Sequence, residues 1–187
     1  RTLLLEPLPM AREGEVGVLW FDGSWSQAEF AFLRPDFPGF QRMAAYRPDD
    51  TTIEMPGGQL RLATGIASTA ELFDVLGTAP MLGRGFQQGD DAPGAEPSSI
   101  ISYSLWQELG ADRGIIGRPI RLGGVPRTVI GVMPAGFWFP SPETKVWNAI
   151  ALNPQSRSGQ YTLVGRVADG LQLTELDGQL QSMAARV

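Results

Sequence analysis

The sequence predicts an α+β fold in which short strands and short helices are mixed along the chain. Apolar residues make up 43% of the 187 residues, which supports a hydrophobic core and excludes a largely disordered chain. The 23 glycines and 15 prolines predict many turns and therefore short elements. Because strand and helix patterns do not alternate in a regular βαβ order, we do not expect a doubly wound parallel sheet.

The first elements are a strand followed by helical segments. Val16–Phe21 is β-branched and aromatic and ends at an Asp-Gly turn signal, which predicts a strand. Residues 26–33 fit a short helix. After an interruption by two prolines, the spacing of Phe40, Met43 and Ala44 continues a helical apolar face.

The next two elements are a strand and a capped helix. Residues 59–66 alternate in polarity and predict a strand, with Leu60, Leu62 and Ile66 on one side. Ser68 and Glu71 have the spacing of a capping box, in which each side chain binds the other residue's backbone N–H. A helix of about ten residues follows, and Gly77 stands where a left-handed residue ends a helix.

The second half of the chain predicts a polar surface loop at residues 87–97, followed by further strands and helices. These elements are, in order, a buried strand at 99–102, a helix carrying Leu105, Trp106 and Leu109, one helical turn at 115–117, a hairpin of 118–122 and 127–133 around Gly123-Gly124, strands at 147–152 and 161–167, and an amphipathic helix from Thr174. The mixed order supports the α+β class.

The absence of histidine and cysteine restricts the catalytic and metal-binding chemistry that the chain can perform. The chain contains no histidine and no cysteine. This excludes histidine-based triads, nearly all transition-metal sites, thiol nucleophiles, iron–sulfur clusters and disulfides. The net charge of −5, without a run of Lys or Arg, argues against nucleic-acid binding.

Two motifs near the acidic loop invite a functional interpretation. From Gly83 the spacing G-x-G-x-x-x-G is one residue too long for a dinucleotide fingerprint, and an acidic loop follows instead of a helix. We interpret it as a turn. Asp90, Asp91 and Glu96 lack the spacing of a calcium-binding EF-hand, so we expect a solvated loop there.

The remaining candidate patterns can be explained without a catalytic or binding role. Lys145 follows Ser141 in a proline-rich loop without the Ser-x-x-Lys spacing of a dyad, and no two acids stand out as a glycosidase pair. Phe137, Trp138 and Phe139 either anchor a loop in the core, which we favour, or form a binding lip. We therefore predict no catalytic, cofactor-binding or metal-binding residue and no cofactor.

The chain shows no targeting or membrane-spanning segment. No stretch approaches the roughly 20 apolar residues of a spanning helix, and the start at Arg1 lacks the features of a signal peptide. Because the chain begins without Met and ends within a helical pattern at Val187, we expect a part of a longer protein. A complete soluble protein is the alternative.

Residues 71–140 contain four blocks of characteristic residues, in order along the chain. They are, block by block, Phe73, Val75, Leu76, Gly77, Pro80, Leu82, Gly83, Arg84 and Phe86; Ser102, Tyr103, Leu105, Trp106 and Gln107; Ile116, Gly117, Arg118, Ile120, Leu122 and Gly124; and Gly131, Val132, Met133, Pro134, Gly136, Phe137, Phe139 and Pro140. Together these blocks resemble the MacB-like periplasmic core domain of ABC-transporter permeases. Within that group they look closest to the FtsX-like duplicated orphan permeases of acidobacteria.

The flanks resemble the same family, so the resemblance covers nearly the whole chain. Residues 3–9 resemble the segment after the family's first transmembrane helix, and residues 163–170 with the following helix resemble the segment before the second. Leu109 stands where an aromatic residue is usual and Arg113 where proline is usual. Both departures concern packing and the start of a helical turn.

The resemblance implies a porter-like subdomain built from both chain ends, residues 1–50 and 150–187, plus an inserted smaller mixed α/β subdomain, residues 51–149. It implies a periplasmic, or extracytoplasmic, part of an inner-membrane protein. The implied partners are the protein's own transmembrane helices, an ABC ATPase subunit or domain, and a second permease copy in a dimer.

The function that follows from the resemblance is mechanical. We expect the domain to couple cytoplasmic ATP hydrolysis, through transmembrane helices, to a periplasmic conformational change in export or efflux, without being an enzyme. The alternatives are a stand-alone extracytoplasmic ligand-binding domain, with a pocket near Trp138 and Trp147, and a carboxylate-dependent hydrolase.

Overall fold

The computed structural model describes residues 3–7, 16–21, 25–33, 39–151, 153, 155–171 and 175–176. Contacts divide the chain into two compact units. Unit 1 comprises Arg1–Arg47, Glu71–Gly77 and Leu152–Val187, and unit 2 comprises Pro48–Ala70 and Thr78–Ala151. The assignment of porter-like and inserted subdomains, with boundaries near residues 50 and 150, stays a prediction.

The described elements are mostly strands, and they confirm the predicted α+β class. The strands are β1 (Leu3–Pro7), β2 (Val16–Phe21), β3 (Phe40–Pro48), β4 (Thr51–Glu54), β5 (Leu60–Ser68), β6 (Leu82–Gly83), β7 (Ser98–Ile101), β8 (Pro119–Leu122), β9 (Val125–Val132), β10 (Thr144–Ala149) and β11 (Thr162–Val167). The helices are α1 (Gln27–Leu33), α2 (Leu72–Leu76) and α3 (Tyr103–Glu108), with a 3-10 turn at Arg113–Ile115. No described helix has the length and hydropathy needed to span a membrane.

Unit 1 is built on an antiparallel sheet with the strand order β1-β2-β11-β3. The helical face predicted from Phe40, Met43 and Ala44 is wrong, because these residues lie in β3. Ala44 pairs with Val164 of β11, and both side chains are buried. The spacing of the apolar residues fits a helix as well as a strand, and the pairing with β11, far away in the chain, selects the strand.

A capping box forms in unit 1, at α1. Ser26 N–H donates to Glu29 Oε2 at 2.8 Å, and Glu29 N–H donates to Ser26 Oγ at 3.2 Å. The capping box predicted at Ser68 and Glu71 is absent, because Ser68 is the last residue of β5 and no side chain caps α2. The same Ser-x-x-Glu pattern therefore caps one helix and not the other.

Helix α2 is shorter than predicted and packs in unit 1. Its buried side chains are Leu72, Phe73 and Val75. Arg166 Nε of β11 donates to the Val75 carbonyl oxygen at 2.9 Å. Gly77 ends the helix as predicted, with φ +70° and its N–H bound to the Phe73 carbonyl oxygen.

Unit 2 is a closed ring of strands in the order β5-β10-β7-β9-β8-β4, with β4 returning to β5. The pairs β5–β10 and β7–β9 are parallel, and the other pairs of the ring are antiparallel. At the junction of β4 and β8, Ile53 lies opposite Leu122. The interior side chains form one core cluster: Ile53, Met55, Ala63, Leu82, Ile101, Leu105, Ile115, Leu122, Val129, Val132 and Val146.

Strand β5 is present as predicted, but its first residues are not covered. Ile66 is buried, whereas Leu60 is 69% and Leu62 is 87% exposed. The hairpin of β8 and β9 turns at Gly123-Gly124 as expected. The amphipathic helix predicted from Thr174 lies outside the described residues apart from Glu175 and Leu176, which are helical.

Candidate functional site

The glycine-rich segment from Gly83 forms a turn closed by an ion pair. Arg84 Nη1 lies 2.6 Å from Asp90 Oδ2, and Arg84 Nη2 lies 3.1 Å from Asp90 Oδ1. Asp90 Oδ2 also accepts from the Gln87 N–H at 2.8 Å. The hydrogen bond from Arg84 holds the pKa of the Asp90 carboxyl below its ordinary value. This turn has its positive charge neutralised internally, so it does not present a phosphate cradle.

Of the three acids considered for calcium, Asp90 and Asp91 have separate structural partners. Asp90 binds Arg84, and Asp91 Oδ2 accepts from the Ala70 N–H at 2.9 Å. Glu96 is exposed. Within the described residues, no group of three or more acids could hold a metal ion. The loop is a surface segment, as expected. The carboxylates of Asp90 and Asp91 bind it to the Arg84 side chain and to the Ala70 backbone.

The aromatic segment behaves mainly as a core anchor. Phe139 and Trp147 are buried, and the Trp147 indole N–H donates to the Phe139 carbonyl oxygen at 3.0 Å. The Phe137 ring packs on Trp147 with centroids 5.6 Å apart. Trp138 is half-buried. Because the Trp147 indole is covered and its N–H is bonded, this ring does not offer a stacking face to a ligand.

Ser141 and Lys145 have different partners. Lys145 Nζ donates to Glu108 Oε1 at 2.5 Å, and the Ser141 hydroxyl lies 3.3 Å from Thr144 Oγ1. Arg61 Nη1 donates to the second oxygen of Glu108 at 2.7 Å. The hydrogen bond from Lys145 is the main cause that lowers the pKa of Glu108. The lysine therefore joins β10 to α3 in an ion pair instead of activating a serine.

A buried polar chain in unit 2 was not predicted from sequence. Ser99 Oγ donates to Asn148 Oδ1 at 2.6 Å, and Asn148 Nδ2 donates to Asp49 Oδ2 at 2.8 Å. This order of groups is similar to a Ser–His–Asp triad, but an amide in the middle position cannot accept the serine proton as a base. Ser99 is also fully buried. These hydrogen bonds join β7, β10 and the short connection between β3 and β4, and the group that accepts from Ser99 is not a base.

Next to this chain, Arg127 carries a partly buried charge. Arg127 Nη1 donates to the Ser98 carbonyl oxygen at 3.1 Å. Burial lowers the pKa of Arg127, and the nearby Asp49 carboxylate opposes that effect. No sequence signal identifies this group, because Asp49 and Asn148 are 99 positions apart.

One open depression lies on unit 2, between the β4–β5 turn and the segment that joins α3 to β8. Its volume is about 460 Å³. The apolar part of its lining is Met55, Pro56, Leu109, Ile115, Pro119 and Ile120, and its charged residues are Glu54, Arg118 and Arg121. Leu60, which is 69% exposed, pairs with Glu54 across the hairpin of β4 and β5 but does not line the depression.

The solved structures of similar fold include a periplasmic region and an extracellular domain of transport proteins. The periplasmic region of MacB from Actinobacillus actinomycetemcomitans has a TM-score of 0.61 and 14% identity, covering 87% of this chain and 76% of that one. The extracellular domain of the noncanonic ABC-type transporter YknZ from Gram-positive bacteria has a TM-score of 0.63 and 18% identity, covering 98% and 89%. A domain assigned to a permease protein from Porphyromonas gingivalis has a TM-score of 0.63 and 18% identity, covering 97% and 86%.

At these identities the structures establish the fold, which is that of the periplasmic domains of MacB-like permeases. The family model described as MacB-like periplasmic core domain matches residues 8–183. The chain belongs to this family, and the resemblance found in the four sequence blocks is confirmed. Comparison with curated protein sequences finds no match.

Proposed function

We propose that this chain is the extracytoplasmic module of an inner-membrane ABC permease and that it transmits mechanical work without catalysing a reaction. In the proposed complex, a cytoplasmic ATPase hydrolyses ATP, and transmembrane helices carry the resulting motion to this domain in export or efflux. The observation that carries the proposal is the family match over residues 8–183, together with the assignment of both chain ends to unit 1.

The sheet of unit 1 gives this proposal a physical basis. Strand β1, near the start of the chain, and strand β11, near its end, both pair with β2. Terminal segments held in one sheet would move together if each continues into a transmembrane helix. A displacement of two such tethers would then act on unit 1 as one body.

The covalent path of the chain supports transmission into unit 2. The chain passes between the units after residues 47, 70, 77 and 151. Helix α2, in the segment Glu71–Gly77, is fixed to unit 1 by Arg166, and by an ion pair between Arg42 Nη1 and Asp74 Oδ2 at 2.7 Å. The segments before and after α2 both belong to unit 2. A force on unit 1 would therefore reach unit 2 through several peptide connections.

The polar groups of the described residues support a non-enzymatic role. Lys145, considered for a dyad, and Asp90, considered for calcium binding, are held in ion pairs with Glu108 and Arg84, respectively. The central group of the buried polar chain is an amide, which cannot act as a general base. We propose that the partners are the protein's own transmembrane helices, an ABC ATPase and a second permease copy.

The test is a distance measurement in the full-length permease with its ATPase, reconstituted in lipid nanodiscs. Spin labels at exposed Ser104 of unit 2 and exposed Arg157 of unit 1, each replaced by cysteine, report the separation of the units by electron resonance. We expect the distance distribution to differ between the nucleotide-free and ATP-trapped states. An unchanged distribution, in a complex whose ATPase is active, would contradict the coupling role.

A further inference from the structure

We infer that the polar chain of Ser99, Asn148 and Asp49 is a clasp that fixes the polypeptide to the ring where it first enters unit 2. The entry is at Pro48, the last residue of β3, and residues 49–50 connect it to β4. The clasp makes this short connection a fixed attachment and not a hinge. The inference goes beyond the proposed function and does not depend on it, because every residue of the clasp lies in unit 2.

The side-chain part of the clasp begins inside the ring. Ser99 of β7 and Asn148 of β10 lie opposite each other in the sheet and are 0% and 2% exposed. A carboxylate only accepts hydrogen bonds, so Asn148 must turn its Nδ2 donor toward Asp49 and its Oδ1 toward Ser99. The distances are 2.8 Å from Nδ2 to Asp49 Oδ2 and 2.6 Å from Ser99 Oγ to Oδ1. The buried serine therefore orients the amide that holds the connection.

The backbone of the connection is bound to β5 at Gly65. Asp49 N–H donates to the Gly65 carbonyl oxygen at 2.9 Å, and Gly65 N–H donates to Asp50 Oδ1 at 3.1 Å. A Cβ on Gly65 would lie 2.9 Å from the Asp49 carbonyl oxygen and 3.2 Å from that of Val146. Glycine allows the connection to lie this close to β5. The connection is thus held from β5 as well as from β10.

Arg127 of β9 balances the negative charge of the clasp. Its side chain is half-buried, and its Nη1 donates to the Ser98 carbonyl oxygen of β7 at 3.1 Å. The Asp49 carboxylate raises the pKa of Arg127, against the lowering effect of burial. A carboxylate beside buried groups is costly unless it is paired and hydrogen-bonded. The guanidinium and the amide of Asn148 therefore both favour the bound position of Asp49.

The connection has the properties of an attachment point. Hinges are residues that absorb large changes in their backbone angles, whereas Asp49 is bound through both its N–H and its side chain. Ser99 and Asn148 are covered by the ring and are closed to a ligand. The polar chain is thus placed to hold the polypeptide, with the serine and the amide as positioning residues.

The test is amide hydrogen exchange of the 187-residue chain, followed by NMR. The N–H groups of Asp49 and Gly65 report on the clasp. The N–H of the buried Met133, which donates to the Ile101 carbonyl oxygen at 2.9 Å, reports on the ring itself. We expect the protection of the two clasp amides to lie within about tenfold of that of Met133, because they open only with the ring. Faster exchange than this in the parent chain would overturn the inference.

Exchanging the acid and the amide tests the clasp directly. Asn148→Asp places a second carboxylate against Asp49, and we expect the amides of Asp49 and Gly65 to exchange on the order of tenfold faster relative to Met133. Adding Asp49→Asn again sets one amide against one carboxylate, with the Ser99 hydroxyl still able to donate. This double variant should return toward the parent. A double variant as fast as Asn148→Asp alone would contradict the clasp.

Two adjacent serines provide the matched control. Ser99→Ala leaves Asn148 Oδ1 without this donor and should also accelerate exchange at Asp49 and Gly65. Ser98→Ala removes a buried hydroxyl that has no hydrogen-bond partner within the described residues, and it should leave both amides unchanged. If Asn148→Asp does not fold, Asp49→Ala gives the same test through the Gly65 amide, because Asp49 is only half-buried and lies outside the strands.

The pattern of exchange separates a clasp from general stabilisation. Selective acceleration at Asp49 and Gly65 supports the inference. Acceleration of Met133 by the same factor would show that the polar chain only stabilises unit 2 as a whole, and the inference would be wrong. Unchanged exchange in every variant would show that the backbone holds the connection without these side chains, which also overturns it. None of these outcomes bears on coupling to an ATPase.

Discussion

Asp90 lies in a polar stretch rich in turn formers, and by sequence alone its loss together with Asp91 should change stability by no more than about 0.5 kcal/mol. The structure gives Asp90 a different role. Its side chain is 18% exposed and receives a two-point hydrogen bond from Arg84. The sequence cannot show whether an aspartate in such a stretch is solvated or paired. Arg84 reaches Asp90 only when the turn has folded.

Replacing Asp90 with Asn should therefore lower the free energy of unfolding by about 1 kcal/mol near neutral pH. The pKa of Asp90 is lowered in the folded state, so its stabilisation is fully present above the ordinary carboxyl pKa of about 4 and is lost as the pH falls through the lowered value. Urea unfolding across this range should show the two proteins converging at low pH. Glu96→Gln, on the exposed part of the same loop, is the control and should stay within about 0.5 kcal/mol.

Gly131 lacks a side chain because the backbone of the preceding turn approaches it closely. A Cβ at this position would lie 2.5 Å from the Arg84 carbonyl oxygen. We expect Gly131→Ala to destabilise the fold by about 1–3 kcal/mol, since backbone cannot move aside as a flexible side chain can. At Gly114 an added Cβ would meet only the ends of Arg118 and Asp112. Gly114→Ala should therefore cost clearly less in chemical denaturation, and equal losses would contradict this explanation.

At the scale of elements, α1 and α2 show that the same Ser-x-x-Glu motif does not always form a capping box. Ser26-x-x-Glu29 forms a capping box and Ser68-x-x-Glu71 does not, although the patterns are the same. Ser68 is held in β5, where it lies opposite Ala149 of β10. Helix α2 begins at Leu72 with Glu71 in the preceding position, so Ser68 ends β5 three residues too early to cap it, whereas Ser26 directly precedes α1. The motif indicates that a capping box is possible, and the residue at which the helix begins decides whether the box forms.

The two serines should respond differently to replacement by alanine. Ser26→Ala removes a cap from α1 and should cost about 1 kcal/mol. The Ser68 hydroxyl is buried without a hydrogen-bond partner, so Ser68→Ala should be neutral or stabilising. The free energy of unfolding from urea titrations of both variants checks this pair. A larger loss for Ser68→Ala than for Ser26→Ala would show that Ser68 has a role in capping after all.

At the scale of the whole molecule, unit 2 depends on the closure of its ring by β4. Ile53 is 1% exposed and lies opposite Leu122 at this closure, whereas Leu62 of the neighbouring strand is 87% exposed. We expect Ile53→Ala to lower the free energy of unfolding by about 2–5 kcal/mol through the cavity it leaves. Leu62→Ala, the matched control on the same hairpin, should change it by no more than about 0.5 kcal/mol. Similar losses for both would mean that β4 does not close the ring.

The fold class, the family and many turn positions could be predicted from the sequence, because each depends on local patterns. Gly77, the strand at Val16–Phe21 and the hairpin at Gly123-Gly124 are examples. Of the candidate site, the exclusion of histidine and cysteine chemistry came from composition. The depression did not, because its lining comes from residues 54–58 and 109–121, which only folding brings together.

The sequence by itself determined that this is a mixed α+β member of a permease family without histidine or cysteine chemistry. Only the tertiary structure decided that Phe40–Pro48 is a strand, that unit 2 closes into a ring and that Asp49, Asn148 and Ser99 form one buried chain. The physical reason is the range of the forces involved. Turn and helix propensities act between neighbours in sequence, whereas strand pairing, burial and buried hydrogen bonds join residues that the chain keeps far apart.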